Sequence, residues 1–315
     1  MIFKEANDHL TRLAVSPEQH ALLTRFLMGT EEKSREQYLP FVDLPLVVHS
    51  AITGDENPPA NVSIASLFLY LAADILDDIA DGDFENHWGK DISSSEGILA
   101  SWVFASSIAP LALEDLDIQT QRICLIKQTL SKCILRMAAG QQGDLQSSES
   151  LCSTSPRQVI KNVQGKSGAE IAGFCLMAAQ LAGVDEYLAS EYGSIGNLLG
   201  TGGQIMTDCY ELYAVSEGRD LNNGTVTLPL AIHFQSLSED EKGNFLNLLM
   251  LAQHDESSRP KVRDLVAQSG ALEQTYSFIK KCKIEALDRL ERLKPLEPAA
   301  TELRSAIKRS CSFSI

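Results

Sequence analysis

Cations are scarce in this chain, and that scarcity excludes a whole class of partner. Lys and Arg number 27 against 42 Asp and Glu over 315 residues, a formal net charge of -15. A nucleic-acid-binding protein wants a basic face, so nucleic acid is not an expected partner. Paired cysteines are lacking too. The seven cysteines, at 124, 133, 152, 175, 209, 282 and 311, form no CxxC and are odd in number. They read as free thiols in a reducing compartment, which makes a cytoplasmic protein the expectation. The longest apolar run is too short to span a bilayer, and the first residues lack the apolar region of a signal peptide. Cys311 stands fifth from the end, where a prenylation box needs the fourth. His49, His87 and His233 show no metal-ligand spacing. Strand-like alternation of Val, Ile and Thr is scarce, and Asn223-Gly224 is not flanked by alternating apolar residues.

What the chain does have is helical periodicity almost throughout. Helices are expected near 16–29, 40–53, 62–82, 94–108, 117–140, 156–183, 185–214, 226–236, 238–252, 259–268, 270–292 and 297–309. Ser16-Pro17 and Ser155-Pro156 mark two of the starts. A composition of 44% hydrophobic and 22% charged residues permits a sizeable core. No loop is long or biased enough to be an interdomain linker, so a single all-α domain over residues 1–315 is expected.

The chemistry is written in carboxylates. Asp74, Asp77, Asp78 and Asp81 fall at i, i+3, i+4 and i+7, one stripe of a helix, directly after an apolar run. Like charges so placed repel by a few tenths of a kcal/mol per pair unless cations sit among them. Mg²⁺ suits the stripe, because it takes one or two carboxylates and completes its octahedron with water and phosphate oxygens. The plain alternative is a solvated acidic helix end. A second acidic site follows in Gly202-Gly203-Gln204-Ile205-Met206-Thr207-Asp208-Cys209-Tyr210-Glu211, with Asp208 and Glu211 on one face. Two such helices facing across a gap would hold a small Mg²⁺ cluster bridged by a diphosphate.

These residues resemble the two DDxxD motifs of the trans-isoprenyl diphosphate synthases. Asp77-Asp78-Ile79-Ala80-Asp81 fits the first, and Thr207-Asp208-Cys209-Tyr210-Glu211 fits the second in degraded form. Gly140-Gln141-Gln142-Gly143-Asp144-Leu145 resembles the family's GQxxDL segment, its plain alternative being a glycine helix cap. Gly165-Lys166-Ser167-Gly168 is similar to the element whose lysine holds the diphosphate. Gly218-Arg219-Asp220 through Thr227-Leu228-Pro229-Leu230 resembles a further stretch, with Thr225 where the family has a phosphate-facing lysine and Arg219 as the possible replacement charge. The resemblance implies a class I isoprenoid synthase fold, a helical bundle around a central apolar cavity, assembled as a homodimer. It implies catalytic roles for Asp77, Asp78, Asp81 and Asp208, and metal ligation by those four with Glu211. Lys166 and Arg219 would bind diphosphate, and three Mg²⁺ ions would accompany it.

Departures from the family narrow the expected function. Chain-elongating members carry a basic segment ahead of the first motif, where this chain has Arg35-Glu36-Gln37-Tyr38-Leu39-Pro40, and Arg-Arg-Gly after it, where this chain has Asn86-His87-Trp88. A diphosphate is held best by cations and charge-assisted hydrogen bonds, so the cradle for isopentenyl diphosphate looks stripped. The expectation is therefore a terpene synthase that ionises one allylic prenyl diphosphate to a hydrocarbon or alcohol. The alternatives are a prenyltransferase, acting on isopentenyl diphosphate or on a peptide or small-molecule acceptor, and a non-catalytic partner subunit. Leu69 and Ala73, on the face of Asp77, would pave the substrate pocket. The small Ala73 and a helix break at Gly202-Gly203 would make room for a farnesyl-sized or longer chain. Gln141, Gln204 and Gly203 join the expected cavity lining, and Trp88, Trp102 and Tyr210 are candidates to offer it a π face.

Overall fold

The structure is a computed structural model of the chain. It describes residues 2–36, 40–114, 116, 118–148, 151–213 and 219–311, without the side chains of 33, 35, 36, 40, 41, 148 and 219. Among the described residues there is no strand. In chain order the α-helices are α1 (Ile2–Leu13), α2 (Pro17–Glu36), α3 (Pro40–Thr53), α4 (Asn61–Asp81), α5 (Phe84–Trp88), α6 (Ser94–Val103), α7 (Ala109–Ala112), α8 (Thr120–Ser148) and α9 (Pro156–Val163). There follow α10 (Ala169–Ala182), α11 (Glu186–Tyr213), α12 (Arg219–Asn223), α13 (Leu228–Ser236), α14 (Glu239–His254), α15 (Arg259–Gln268), α16 (Ala271–Leu293) and α17 (Ala299–Ser310). The all-α expectation holds. No helix among the described residues is long and apolar enough to cross a membrane.

Local chemistry sets several of the boundaries. Ser93 and Glu96 form a reciprocal capping box at the start of α6. The Ser155 hydroxyl accepts from the Gln158 N–H, with Pro156 at the first position of α9. Gly82 ends α4 in the left-handed conformation, φ 77°, and the Asp83 N–H then reaches the Asp78 carbonyl at 2.9 Å. Two π-helical turns interrupt the α-helical pattern, Phe104–Ile108 after α6 and Gln164–Gly168 between α9 and α10.

Three features differ from the sequence expectation. Helix α1 precedes the first helix anticipated there, and buries Ile2, Ala6 and Leu10 on one face. Helix α8 runs on to Ser148 instead of stopping at 140, which places Asp144 on a helix. Helix α11 is continuous through Gly202-Gly203. A Cβ at Gly202 would lie 2.8 Å from Cys311 Sγ, and one at Gly203 would lie 3.6 Å from the Ser310 carbonyl, so these glycines admit the end of α17. They make close packing rather than a break or open room.

The chain divides into two compact units. The first comprises Met1–Ile134, Gly173–Gly193 and Leu293–Ala306. Its core is built on α4, which packs on α3, α6 and α7 and buries Ile64, Leu67, Phe68, Leu71 and Ile75. Phe68 stacks on Phe104 of the first π turn at 5.5 Å between centroids. Each such aromatic contributes about 1.5–3 kcal/mol by leaving water. The second unit comprises Leu135–Ala172, Ser194–Arg292 and Ile307–Ile315. Ile205 and Leu212 of α11 meet Leu228, Ala231, Phe245, Val262 and Ile279 in its core. The Arg263 guanidinium donates to the Leu212 carbonyl at 2.8 Å, and the Tyr213 hydroxyl donates to the Arg263 carbonyl at 3.0 Å, fixing the end of α11 to α15.

Candidate functional site

The first aspartate stripe closes α4 in the first unit. Asp77 is half-buried and Asp81 exposed. Asp74 is also half-buried and accepts from the Tyr70 hydroxyl at 3.2 Å. Asp78 stands apart from them. It is only 9% exposed, its Oδ2 accepts from the Trp88 indole N–H at 2.7 Å, and its Oδ1 lies 2.6 Å from His87 Nδ1. A carboxylate only accepts, so Nδ1 carries the proton in that contact. Asp78 was expected among the metal ligands and catalytic carboxylates. The structure instead turns it inward, because the short helix α5 brings two donors back onto the last turn of α4.

Of the expected pocket residues in this unit, Leu69 is fully buried and Ala73 half-buried on α4. Trp102 differs from expectation. It is 67% exposed on α6 beside Ile98 and Leu99, because the opposite face, Gly97, Ala100 and Ser101, is the one that packs. Trp88 is buried and bonded to Asp78, and Tyr210 in the second unit is exposed. Trp88 lines a pocket with His20, Thr24, Arg25, Met28 and His87, in which neither Trp102 nor Tyr210 takes part.

In the second unit the π turn Gln164–Gly168 lies between α8 and α11. A Cβ at Gly140 would collide with the backbone nitrogen of Lys166, and a Cβ at Gly200 with the Ser167 carbonyl. Glycine at both positions lets the turn approach each helix backbone to backbone, which replaces the helix cap considered for Gly140. The consequence is a convergence of polar groups. Lys166 Nζ lies 3.9 Å from an Asp144 carboxylate oxygen. The Ser167 hydroxyl donates to Gln204 Oε1 at 3.0 Å, and Gln204 Nε2 donates to Asp208 Oδ1 at 2.9 Å. Burial pushes the half-buried Asp208 carboxyl up to about 7; the Gln204 hydrogen bond lowers it, the Asp144 and Glu211 charges raise it, and Lys166 lowers it. Gln141 sits half-buried on α8, one turn before Asp144.

Asp144 and Ser167 join the site although sequence reasoning gave neither a role. The signal for Asp144 was present in its motif, but its reach toward Lys166 depends on the glycine contact. Arg219 opens α12, and its side chain lies outside the described residues, as do those of Arg35 and Glu36 and the whole of 37–39. Nearby, the Thr225 N–H closes its loop on the Asp220 carbonyl at 2.9 Å.

The donor set fits a hard divalent cation. Asp144, Asp208 and Glu211 supply oxygen alone, and their mutual repulsion is what a positive ion relieves. Among the described residues no three such groups form a cage by themselves. Mg²⁺ asks for one or two carboxylates and takes its remaining ligands from phosphate and water.

Comparison with known proteins agrees on one family. A family model described as Polyprenyl synthetase matches residues 60–268. A geranylfarnesyl diphosphate synthase from Methanosarcina mazei is 31% identical over 114 residues, which is 36% of this chain and 38% of that enzyme. The matched stretch thus spans well under half of that relative. The geranylgeranyl pyrophosphate synthetase of Pyrococcus horikoshii superposes with a TM-score of 0.80 at 20% identity, covering 99% of this chain and 95% of that one. The geranylgeranyl pyrophosphate synthase of Corynebacterium glutamicum, solved with isoprenyl diphosphate and magnesium, gives 0.80 at 16% identity and 98% of each chain. At these identities the structural likeness speaks for the fold.

Proposed function

Since this chain belongs to the polyprenyl synthetase family, among the trans-isoprenyl diphosphate synthases, we propose that it is a Mg²⁺-dependent prenyltransferase. It takes an allylic prenyl diphosphate of farnesyl size or longer and extends it with isopentenyl diphosphate. The expected terpene synthase finds no support in the comparisons; the family match and the M. mazei relative favour the prenyltransferase alternative. The observation that carries the reading is the meeting of Lys166, Asp144, Gln204 and Asp208 around the second motif. Asp208 and Glu211 in the second unit, and Asp77 and Asp81 in the first, are the carboxylates that would hold metal; three ions with the diphosphate is the number we propose. Mg²⁺ there would act as a Lewis acid on the diphosphate oxygens. Lys166 supplies a fixed cation for the same group, and Gln204, itself held by Ser167, fixes the direction of Asp208.

A second reading keeps prenyl transfer but changes the acceptor. Asn86-His87-Trp88 stands where the elongating family pattern has Arg-Arg-Gly, and His87 and Trp88 both spend a donor on Asp78. That favours an acceptor without a diphosphate of its own. Incubation with farnesyl diphosphate, isopentenyl diphosphate and Mg²⁺, followed by chromatography of the dephosphorylated products, tests the proposal. A longer polyprenol supports elongation; consumption of farnesyl diphosphate with no longer product would refute it in favour of another acceptor or of simple ionisation.

The two units are proposed to form one domain over 1–315, in keeping with relatives that align along 98–99% of the chain. A homodimer is proposed as well, and the exposed Ile98, Leu99 and Trp102 of α6 support it. A cytoplasmic location accords with seven cysteines that form no disulfide.

A further inference from the structure

The first aspartate stripe holds one carboxylate that does not face outward. Asp78 is bonded through both oxygens, to the Trp88 indole N–H and to His87, at 2.7 and 2.6 Å. Such short contacts to an ionised acceptor are among the stronger hydrogen bonds in proteins. We propose that Trp88 and His87 are positioning residues that hold Asp78 as an anchor for the last turn of α4, and thereby fix how Asp77 and Asp81 present their carboxylates. The inference rests on the reading of that stripe as a Mg²⁺-diphosphate site.

Helix ends fray, because their last carbonyls have no partner within the helix. A stripe of aspartates on the final turns adds repulsion to that tendency. Here Asp77, Asp78 and Asp81 all lie in the last five residues of α4. The Gly82 and Asp83 N–H groups cap the backbone of that turn, and Trp88 and His87 hold the Asp78 carboxylate from outside the helix.

The hold is built from α2. Phe26, fully buried, meets the Trp88 ring edge-on at 4.9 Å and a 66° tilt, and Phe84 at 6.4 Å. Gly29, one turn further along α2, leaves room for the indole: a Cβ there would lie 3.1 Å from it. The Trp88 carbonyl accepts from Arg25 Nη2 at 3.4 Å, and Arg25 is itself paired with Asp91. Trp88 is thus seated by three residues of one long helix, and it is the fixed partner in its bond to Asp78. His87 is placed by the same short turn and adds the second donor. The plain alternative is that the contact only satisfies a buried acid, with no effect on Asp77 and Asp81.

Two measurements separate these. The chain has two tryptophans, so the indole N–H resonance lost in Trp88→Phe assigns Trp88 in a ¹⁵N spectrum. Asp78→Asn is expected to move that resonance; an unmoved resonance would mean the bond is absent in solution and overturns the proposal. Binding of inorganic pyrophosphate with Mg²⁺ is then followed by calorimetry. Trp88→Phe removes the donor together with part of the buried indole, and is expected to weaken binding about tenfold and to lower the melting temperature. His87→Ala should weaken it likewise and His87→Gln, which retains a donor, should restore most of the loss. The double variant Trp88→Phe/Asp78→Asn should bind no worse than Asp78→Asn alone. Wild-type binding in both Trp88→Phe and His87→Ala, or full additivity in the double variant, would refute the positioning role. If Trp88→Phe fails to fold, the His87 pair decides. Pyrophosphate binding does not depend on which substrate is turned over, so an enzyme inactive toward every allylic diphosphate would sink the functional reading while this test still stands.

Discussion

Replacing Asp208 by Asn should make the unliganded protein more stable and useless for its proposed task. Burial, with Asp144 and Glu211 nearby, holds the Asp208 carboxyl at about 7, against 3.8 for the ordinary group. One pKa unit corresponds to about 1.4 kcal/mol. The ionised form therefore costs the folded, metal-free protein at most about 4 kcal/mol, and water reaching a half-buried site reduces this to on the order of 2. The sign follows from proton counting. The folded pKa lies above the unfolded one, so stability is lost as pH rises from 3.8 through about 7, and the loss is complete above that. Asparagine carries no charge, and its Oδ1 can still accept from Gln204.

Differential scanning fluorimetry in chelator should then show Asp208→Asn melting roughly 4–6 °C above wild type at about pH 8. At about pH 5 the gain should shrink to about a third, since most of the wild-type Asp208 is then protonated when folded. Mg²⁺ with pyrophosphate should reverse the order, raising the wild type and leaving the variant unmoved. A variant less stable than wild type at about pH 8, or a gain equal at both pH values, would show that Asp208 is not a strained carboxylate awaiting a cation.

Gly140→Ala forces a methyl group into the Lys166 backbone and should cost about 1–3 kcal/mol by overpacking, read as a lower urea midpoint together with weaker pyrophosphate binding. Loss of neither would mean the two segments do not touch. Ala73→Phe should shift preference from farnesyl toward geranyl diphosphate in competition assays; an unchanged profile in a folded variant rules out Ala73 as pocket floor. His233 is buried edge-on to Phe245 at 4.5 Å, and neither ring nitrogen has a hydrogen-bond partner. Burial depresses its pKa below 6.5, with Glu241 opposing, so its contribution to stability is present above 6.5 and lost as pH falls through the depressed value. His233→Leu should flatten the acid side of the melting-temperature profile, and an unchanged acid limb would disprove this placement.

Much of the fold was legible because it is local. Period 3.6 in the apolar residues, Pro156 after Ser155 and the spacing of Asp208 and Glu211 each need only a few neighbours to be read. α1 escaped because its short amphipathic pattern, Ile2, Ala6 and Leu10, is diluted by charge. The extension of α8 to Ser148 escaped because Gly140 and Gly143 look like a stop until α9 and the π turn are seen to press on them: a Cβ at Gly143 would meet the Asn162 side chain, as one at Gly140 would meet Lys166.

The same limit explains two of the site residues that behaved otherwise than expected. A motif of Asp-Asp-x-x-Asp spacing says which carboxylates lie together on the last turns of a helix, and Asp77, Asp78 and Asp81 do. It cannot say that the chain turns at Gly82 and returns at Trp88 with an indole aimed at the middle carboxylate. Gly29 on α2, far away in sequence, decides whether that indole fits. Trp102 is the converse case, an aromatic whose helix face is settled by the small residues Gly97, Ala100 and Ser101 behind it. In both, the informative residue is a small one on the opposing surface, which allows an approach that a side chain would block. Local spacing therefore sets the chemistry available at this site, and glycine-mediated contact between helices selects which carboxylate is turned inward.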